Sequence, residues 1–429
     1  MKDVSDVTFC VVDTGLFLPL AFCLSQQAKR VIYWNTDKRS FPSVKQGTIG
    51  DGFENIEQYW GLYPPKDADC YVFPDIGNAD LQEDLIERGR KVWGSGGGDI
   101  LELDREHFME VIKEVGLDVP KFEVVVGWTA LSKHLIDQED KYIKISRFRG
   151  DMETTHWRSW AQDEQWLYWL AIQFGSVKER IRFLVFDAID TDLEIGADTY
   201  CVDGNWPALM LNGFEAKDTT YFSAVTKRSD MPEQINDVLE AFGPELRHHS
   251  YRNQWSMEVR VKGDEAYFID ATCRGGMPSS GSQQLIWSNF PDIIWHGANG
   301  QLLEPEPAAK FSIECMICSK TGKDLWDEVE IDPSIERNVR FSSCALVDGK
   351  YCFPPDEFHE GELGWLVALG DTPSETLKNA KDIADKLPDG LDAKLENLTA
   401  LIQEIESAQE LGIPFTDQKV PDAAEVIND

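Results

Sequence analysis

Two β-strand patterns joined by the turn sequence KGDE constrain this chain most, because each carries an acidic residue. The stretch SMEVRVKGDEAYFIDATCRGG, residues 256–276, places Glu258 on the first strand and Asp270 on the second. The two residues are an even number of positions apart, and alternate side chains of a strand share a face. We therefore expect both carboxylates on one side of the sheet.

Two neighbouring carboxylates repel each other unless a cation lies between them. Hard oxygen ligands favour Mg2+, which uses one or two carboxylates together with substrate phosphates. Arg274 follows Asp270 by four residues and offers a planar guanidinium to the same phosphate. The alternative interpretation is a solvated sheet face that carries ordinary charges.

Composition narrows the classes of function. The 429 residues suggest two or three domains, and 42% hydrophobic residues are enough for packed cores. The net charge of -35 argues against direct binding to nucleic acid or to an anionic membrane. No basic leader precedes an apolar run, and no window approaches the ~20 apolar residues of a membrane span. We expect a cytoplasmic protein whose nine cysteines are reduced.

The first part of the chain predicts an open α/β domain over residues 1–98. The sequence DVTFCVVDTGLFLPLAFCLSQQAKRVIYWN indicates a strand, a tight turn, a helix and a second strand. A buried strand pattern, DADCYVFPD, follows, and then NADLQEDLIERGRKVWGSG predicts a helix that runs into another helix. The first turn has a single glycine and therefore lacks the G-x-G-x-x-G dinucleotide fingerprint.

The rest of the chain predicts a central domain over residues 99–300 and a smaller β-rich domain over residues 301–412. An amphipathic helix that stops at Gly116 precedes the strand DKYIKISRF, a polar loop with three arginines and the strand RIRFLVFDAI. A hairpin with a turn at Asp203 and Gly204 comes next. Residues 413–429 are expected to be a tail.

This order of segments resembles the ATP-grasp superfamily, and within it the glycinamide ribonucleotide synthetases (phosphoribosylamine–glycine ligases), over roughly residues 5–410. The resemblance implies a multidomain chain of the α/β and α+β classes, with an open α/β domain before the ATP-grasp domain and a small β-rich domain after it. It implies nucleotide bound between two subdomains of the central domain. It also implies an ADP-forming carbon–nitrogen ligase that uses ATP and Mg2+ (or Mn2+).

The resemblance assigns roles to particular residues of this chain. The basic residues expected to contact ATP are Arg105, in LELDREHF, and Lys144, in YIKI. In FLVFDAIDTDLEIGAD the backbone of Asp187, Ala188 and Ile189 would bond adenine, and Glu194 would hold the ribose. Lys217, in FEAKD, and Arg274 would act on the phosphates during catalysis. The metal ligands would be Glu258, Asp270 and Thr272.

Departures from the family pattern leave the substrates open. The phosphate loop SRFRGDMETTHWRS has one glycine, Gly150, so that its arginines would replace backbone donors or would bind an acidic substrate. Thr272 stands where the family has asparagine, Asp270 stands where it has glutamate, and the glycine-rich segment after FEAKD is missing. Three hypotheses remain: a ligase for another small carboxylate and amine, the phosphoribosylamine–glycine ligase itself, and a nucleotide-binding regulatory protein without catalysis. A homodimer is compatible with each.

Overall fold

The structure, a computed structural model, describes residues 1–35, 48–147, 154–191, 193–217, 219–263, 265–319, 326–354, 361–421 and 423. The N-terminal part is a five-stranded parallel sheet of strand order β3-β2-β1-β4-β5. Its strands are β1 (Thr8–Asp13), β2 (Arg30–Asn35), β3 (Ile56–Tyr59), β4 (Cys70–Val72) and β5 (Lys91–Trp93), and its helices are α1 (Leu18–Ser25) and α2 (Ala79–Glu87). This is the open α/β arrangement that the sequence predicts.

One prediction for this region is wrong. The segment after α2 is β5 and not a second helix, and it pairs in parallel with β4. Val92 and Trp93 are buried in the sheet. The strand is only three residues long, which is too short to show either a helical or a strand period.

A small lobe follows, in which one face of a four-stranded antiparallel sheet is covered by two helices. Its strand order is β6-β9-β7-β8. The elements are β6 (Phe122–Val126), α5 (Trp128–Leu135), β7 (Lys141–Ile145), β8 (Thr154–Trp157), α6 (Trp160–Phe174) and β9 (Arg182–Asp187). Leu131, Leu167 and Phe183 belong to a core of this lobe's own.

Two helices, α3 (Ile100–Leu103) and α4 (Arg105–Glu114), precede the lobe where one amphipathic helix is predicted. The break falls at Asp104, whose backbone is extended and whose carboxylate accepts the backbone N–H of His107. Asp104 is therefore the N-cap of α4, a position that favours a short acidic side chain.

The largest sheet has nine strands, in the order β14-β13-β10-β11-β12-β15-β20-β17, with β21 beside β15. The strands are β10 (Glu194–Val202), β11 (Leu209–Ala216), β12 (Thr220–Lys227), β13 (Arg252–Lys262), β14 (Glu265–Thr272), β15 (Phe311–Ser319), β17 (Val339–Phe341), β20 (Glu362–Gly370) and β21 (Leu391–Ala393). Its helices are α7 (Glu233–His248), α8 (Ser280–Ile286), α9 (Phe290–Ala298), α10 (Pro373–Ala384) and α11 (Leu398–Glu410). A three-stranded sheet is formed by β16 (Asp327–Val329), β18 (Ala345–Val347) and β19 (Lys350–Phe353).

The large sheet continues across the boundary predicted at residue 300, because β12 pairs with β15. The segment after residue 412, expected to be a tail, packs against this sheet. Phe415 is 2% exposed, and its ring lies 5.2 Å from Phe222 and 5.8 Å from Phe214. Among the described residues, no helix is long and apolar enough to cross a membrane.

The packing of Phe415 gives a stability prediction. Phe415→Ala leaves a cavity among aromatic rings and should lower the free energy of unfolding by about 3–5 kcal/mol. Leu411→Ala is the matched control, because Leu411 is 68% exposed and its truncation should cost less than about 0.5 kcal/mol. Urea denaturation followed by tryptophan fluorescence measures both. Equal midpoints for the two variants would contradict the packing described.

Candidate functional site

A cleft of about 260 Å3 lies between the small lobe and the nine-stranded sheet. The apolar or aromatic residues of its wall are Met109, Pro120, Tyr142, Phe186, Ile189 and Ile269. The charged residues of its wall are Lys144, Asp187, Glu194, Lys217, Glu258, Arg260 and Asp270. Tyr142 and Phe186 are register partners, and we call the wall around them the apolar end. Glu258 interacts with Asp270, Lys144 and Lys217, and we call the wall formed by these four residues the polar end. The cleft contains most of the residues that the sequence singles out.

The carboxylates of the opening motif face each other across β13 and β14, where Glu258 is the direct register partner of Asp270. A β-bulge produces this pairing, because Val259 pairs with Phe268 and Ile269 is an extra residue on β14. In the regular hairpin set by the Lys262–Glu265 pair, Glu258 would face Ile269. Even spacing would then send Asp270 to the opposite face. Glu258 and Asp270 do lie on one face of the sheet, as expected. The bulge at Ile269 puts them there, and simple alternation along the two strands would not.

Positive side chains surround Asp270. Lys144, on the lobe strand β7, places Nζ 3.1 Å from Asp270 Oδ2. The guanidinium of Arg105, 3% exposed at the start of α4, lies 4.0 Å from the same oxygen. Two cations from different elements therefore lie near one carboxylate oxygen. The ion pair between Lys144 and Asp270 joins the small lobe to the large sheet.

The pKa of Glu258 is raised in spite of these cations. Burial is the main cause, and together with the charges of Glu194 and Asp270 it raises the pKa of Glu258 to about 8, against the opposing effect of Lys217 and Lys144. An additional cation at this point would favour the ionised form of the carboxyl group.

The donor set fits Mg2+ that is shared with a phosphate ligand. In the described part of the chain, no group of three or more His, Cys, Asp or Glu side chains is arranged to hold a metal ion. Two facing carboxylates supply only part of a coordination shell, and Mg2+ typically completes it with water and substrate phosphates. Glu258 and Asp270 would be the protein ligands.

Thr272 lies on the same face as Asp270, two residues further along β14 and opposite Ser256. It is therefore displaced from the Glu258–Asp270 pair by two register positions, roughly 7 Å along the strand.

The apolar end of the cleft adjoins the segment predicted to bond adenine. The backbone N–H of Asp187 donates to the carbonyl of Lys121, and the carbonyl of Ile189 accepts from Thr191. The backbone groups that could bond to a base are therefore the N–H and carbonyl of Ala188 and the N–H of Ile189. The carboxylate of Asp187 is paired with Lys141 and Lys121, which lower its pKa.

Glu194 lines the cleft beside Arg260, whose Nε is 3.1 Å from Glu194 Oε2. Arg260 is not among the residues predicted from the sequence, although its spacing from Glu258 indicates a place in the site. Arg260 is two residues from Glu258 on one strand and therefore shares its face.

Arg274 is held by acids outside the cleft wall. Its Nε lies 3.0 Å from Glu102 Oε1 and 3.6 Å from Asp75 Oδ1. The side chain of Glu102 is fully buried and also accepts the backbone N–H of Cys273. The structure thus ties Arg274 to α3 and to the N-terminal sheet.

The predicted phosphate loop is only partly described, since Arg149 and Gly150 lie outside the described residues. Arg147 forms an ion pair with Asp104 at 2.6 Å. Arg158 pairs with Asp163 at the start of α6. Both of these arginines are therefore held by carboxylates of neighbouring helices.

Comparisons with known proteins rest on structure, since no protein-family model matches the sequence and no curated protein matches it. Phosphoribosylamine–glycine ligase from Thermotoga maritima is 16% identical with a TM-score of 0.66, over 90% of this chain and 99% of that one. The biotin carboxylase domain of 2-oxoglutarate carboxylase from Hydrogenobacter thermophilus, solved with MgADP, ADP and bicarbonate, is 13% identical with a TM-score of 0.65, over 99% and 98%. L-amino acid ligase from Bacillus licheniformis is 13% identical with a TM-score of 0.60, over 90% and 99%.

All three of these proteins are ATP-grasp enzymes, and each likeness spans nine-tenths or more of both chains. The chain therefore has the ATP-grasp fold.

Proposed function

We propose that this chain is an ATP-dependent, ADP-forming carboxylate–amine ligase. ATP phosphorylates a substrate carboxylate, and an amine then displaces phosphate from the acylphosphate to give an amide. The proposed substrates are an amino acid such as glycine and an amine-bearing small molecule or nucleotide. The observation that carries the proposal is the facing pair of Glu258 and Asp270 at the polar end of a cleft whose other end is apolar.

The two ends of the cleft suit the two ends of a nucleotide. The slot between Met109, Tyr142 and Phe186 offers flat apolar surface for a base. Lys144 and Lys217 line the polar end, where a triphosphate needs compensating charge. Mg2+, when bound with the nucleotide, supplies positive charge to the phosphate oxygens.

The residues of the chain would orient and stabilise the transferred phosphoryl group. Charge shifts among phosphate oxygens during transfer, so fixed cations that are positioned in advance contribute most. A phosphate at the polar end competes with Asp270 for Lys144, because that lysine now pairs with the carboxylate. No nucleophilic Ser or Cys is needed, since the substrate carboxylate attacks ATP directly.

The metal ligands are tested by nucleotide affinity. Asp270→Asn keeps the size of the side chain and removes its charge, so Mg2+-dependent ADP affinity should fall at least tenfold. Affinity in EDTA should hold or rise, because Lys144 loses its partner. Isothermal titration calorimetry with and without Mg2+ measures both. Asp84→Asn, on α2, is the matched control. If Mg2+ raises the ADP affinity of Asp270→Asn as much as that of the wild-type protein, this carboxylate does not bind the metal.

Lys144 is tested in the same assay. Lys144→Ala should weaken ADP binding by about 1.5–3 kcal/mol, through loss of a charge-assisted contact to phosphate. Lys2→Ala is the control, because Lys2 forms an ion pair with Asp69 at 2.6 Å in the N-terminal domain. If the two variants bind ADP equally well, the phosphates do not lie beside Lys144.

The reaction itself is tested on a metabolite extract. Enzyme, ATP and Mg2+ should produce a compound whose mass has increased by one amino acid minus water, as detected by mass spectrometry. Asp270→Asn should not produce it. Phosphoribosylamine with glycine, tried separately, distinguishes the purine-synthesis ligase from a ligase with other substrates. Nucleotide binding without ADP formation across the extract and an amine panel would favour a regulatory protein.

A further inference from the structure

Glu194 and Arg260 form a charged pair in the wall of the cleft. They are register partners on β10 and β13, and Arg260 Nε lies 3.1 Å from Glu194 Oε2. Glu194 is two residues before Gly196, and Gly196 is the register partner of Glu258. The pair is therefore displaced from Glu258 by roughly 7 Å along the strands.

This displacement leads from the polar end towards the segment predicted to bond a base. In the chain, Asp187 and Ile189 come shortly before Glu194, and both of them line the cleft. Asp187 directly follows Phe186 of the apolar end. Glu194 therefore occupies the part of the wall between the base-binding segment and Glu258.

The chemistry of a carboxylate restricts which part of a nucleotide can lie against Glu194. An ionised carboxylate only accepts hydrogen bonds, and it repels the negative charge of a phosphate. Between its base and its phosphates a nucleotide has a ribose, whose two hydroxyl groups donate hydrogen bonds. The position of Glu194 thus agrees with the ribose role that the family resemblance assigns to it.

Arg260 holds Glu194 from a fixed point of the sheet. Its Nη1 donates to the backbone carbonyl of Thr191 at 3.4 Å. Thr191 is anchored in turn, because its hydroxyl donates to the carbonyl of Val261 and its N–H donates to the carbonyl of Ile189. Arg260 therefore links Glu194 to the segment that would bond the base.

The alternative is an ordinary cross-strand ion pair that only stabilises the sheet. The side chains of Arg260 and Glu194 are 29% and 41% exposed, and ion pairs with such exposure contribute little to stability. A half-exposed glutamate keeps several rotamers unless a partner selects one of them. The main effect expected of Arg260 is therefore on the orientation of Glu194.

We propose that Arg260 is a positioning residue that holds Glu194 in place for the two ribose hydroxyl groups of the nucleotide. The guanidinium binds Glu194 Oε2, which leaves Oε1 to accept hydrogen bonds from the ribose. Arg260 thereby favours ribonucleotides through Glu194, without contacting the nucleotide. The proposal rests on the nucleotide site of the proposed ligase and adds the residue that sets its preference for ribose.

The preference is measured by isothermal titration calorimetry with ADP and with 2′,3′-dideoxy-ADP, each in the presence of Mg2+. Wild-type protein should bind ADP at least tenfold more tightly, because the dideoxy nucleotide lacks both hydroxyl groups. Arg260→Gln should reduce this preference to threefold or less by weakening ADP binding. Its affinity for the dideoxy nucleotide should change less than twofold. Equal weakening of both nucleotides, or an unchanged preference, would overturn the proposal.

Arg252→Gln is the matched control. Arg252 lies on the same strand, and its Nε is 2.8 Å from Asp203 Oδ1. Its Nη1 donates to a backbone carbonyl, that of Ala298, so its contacts resemble those of Arg260. Arg252 does not line the cleft, and its substitution should leave the preference for ADP within twofold of the wild-type value. A loss of preference as large as that of Arg260→Gln would contradict a role specific to Arg260.

A double variant tests whether Arg260 acts through Glu194. Glu194→Ala alone should abolish the preference for ADP. Adding Arg260→Gln to Glu194→Ala should then change neither affinity more than twofold, because the carboxylate through which Arg260 acts is gone. A further loss of ADP affinity in the double variant would mean that the guanidinium contacts the nucleotide itself, and it would overturn the positioning role.

Melting temperatures guard against variants that fail to fold. Arg260→Gln should shift the melting temperature by less than about 3 °C. If it unfolds, Arg260→Met, which keeps the aliphatic stem, replaces it with the same expected loss of preference. If wild-type protein binds both nucleotides equally, the role of Arg260 is wrong and the ligase proposal stands. If it binds neither, the ligase proposal fails, and the role of Arg260 fails with it.

Discussion

The repulsion between Glu258 and Asp270 is the constraint on which the rest of the site depends. Backbone pairing holds the two residues opposite each other, so their carboxylates project from neighbouring positions of the sheet. Lys144 and Arg105 balance part of this charge through Asp270. The pKa of Glu258 is nevertheless raised, mainly by burial and also by the charges of Glu194 and Asp270. A further cation beside this pair would favour its ionised form.

The same interaction connects the two sides of the cleft. Lys144 belongs to the small lobe, and Asp270 belongs to the large sheet. Asp104 adds a second link, because it caps α4 and also binds Arg147 and the hydroxyl of Ser146 at the end of β7. A phosphate group that drew Lys144 and Arg147 away would change both links, so ligand binding and lobe position are expected to be coupled.

The hairpins and the strand of Lys144 could be predicted from the sequence, because strong periodicity and turn residues mark them. These patterns could not predict the bulge at Ile269, because register depends on pairing across the sheet and not on spacing along one strand. They also missed β5, which is too short to show a period, and the packing of Phe415, which depends on distant rings. The buried partner of Arg274, Glu102, is 172 residues away in the chain and leaves no local signal.

The most direct test of the central claim is a crystal structure of the protein grown with ADP and Mn2+, with the metal located by its anomalous scattering. We predict one peak within bonding distance of the carboxylates of both Glu258 and Asp270 and of a phosphate oxygen of ADP, with the base against Tyr142 and Phe186. ADP bound elsewhere, or a metal that contacts neither carboxylate, would contradict it.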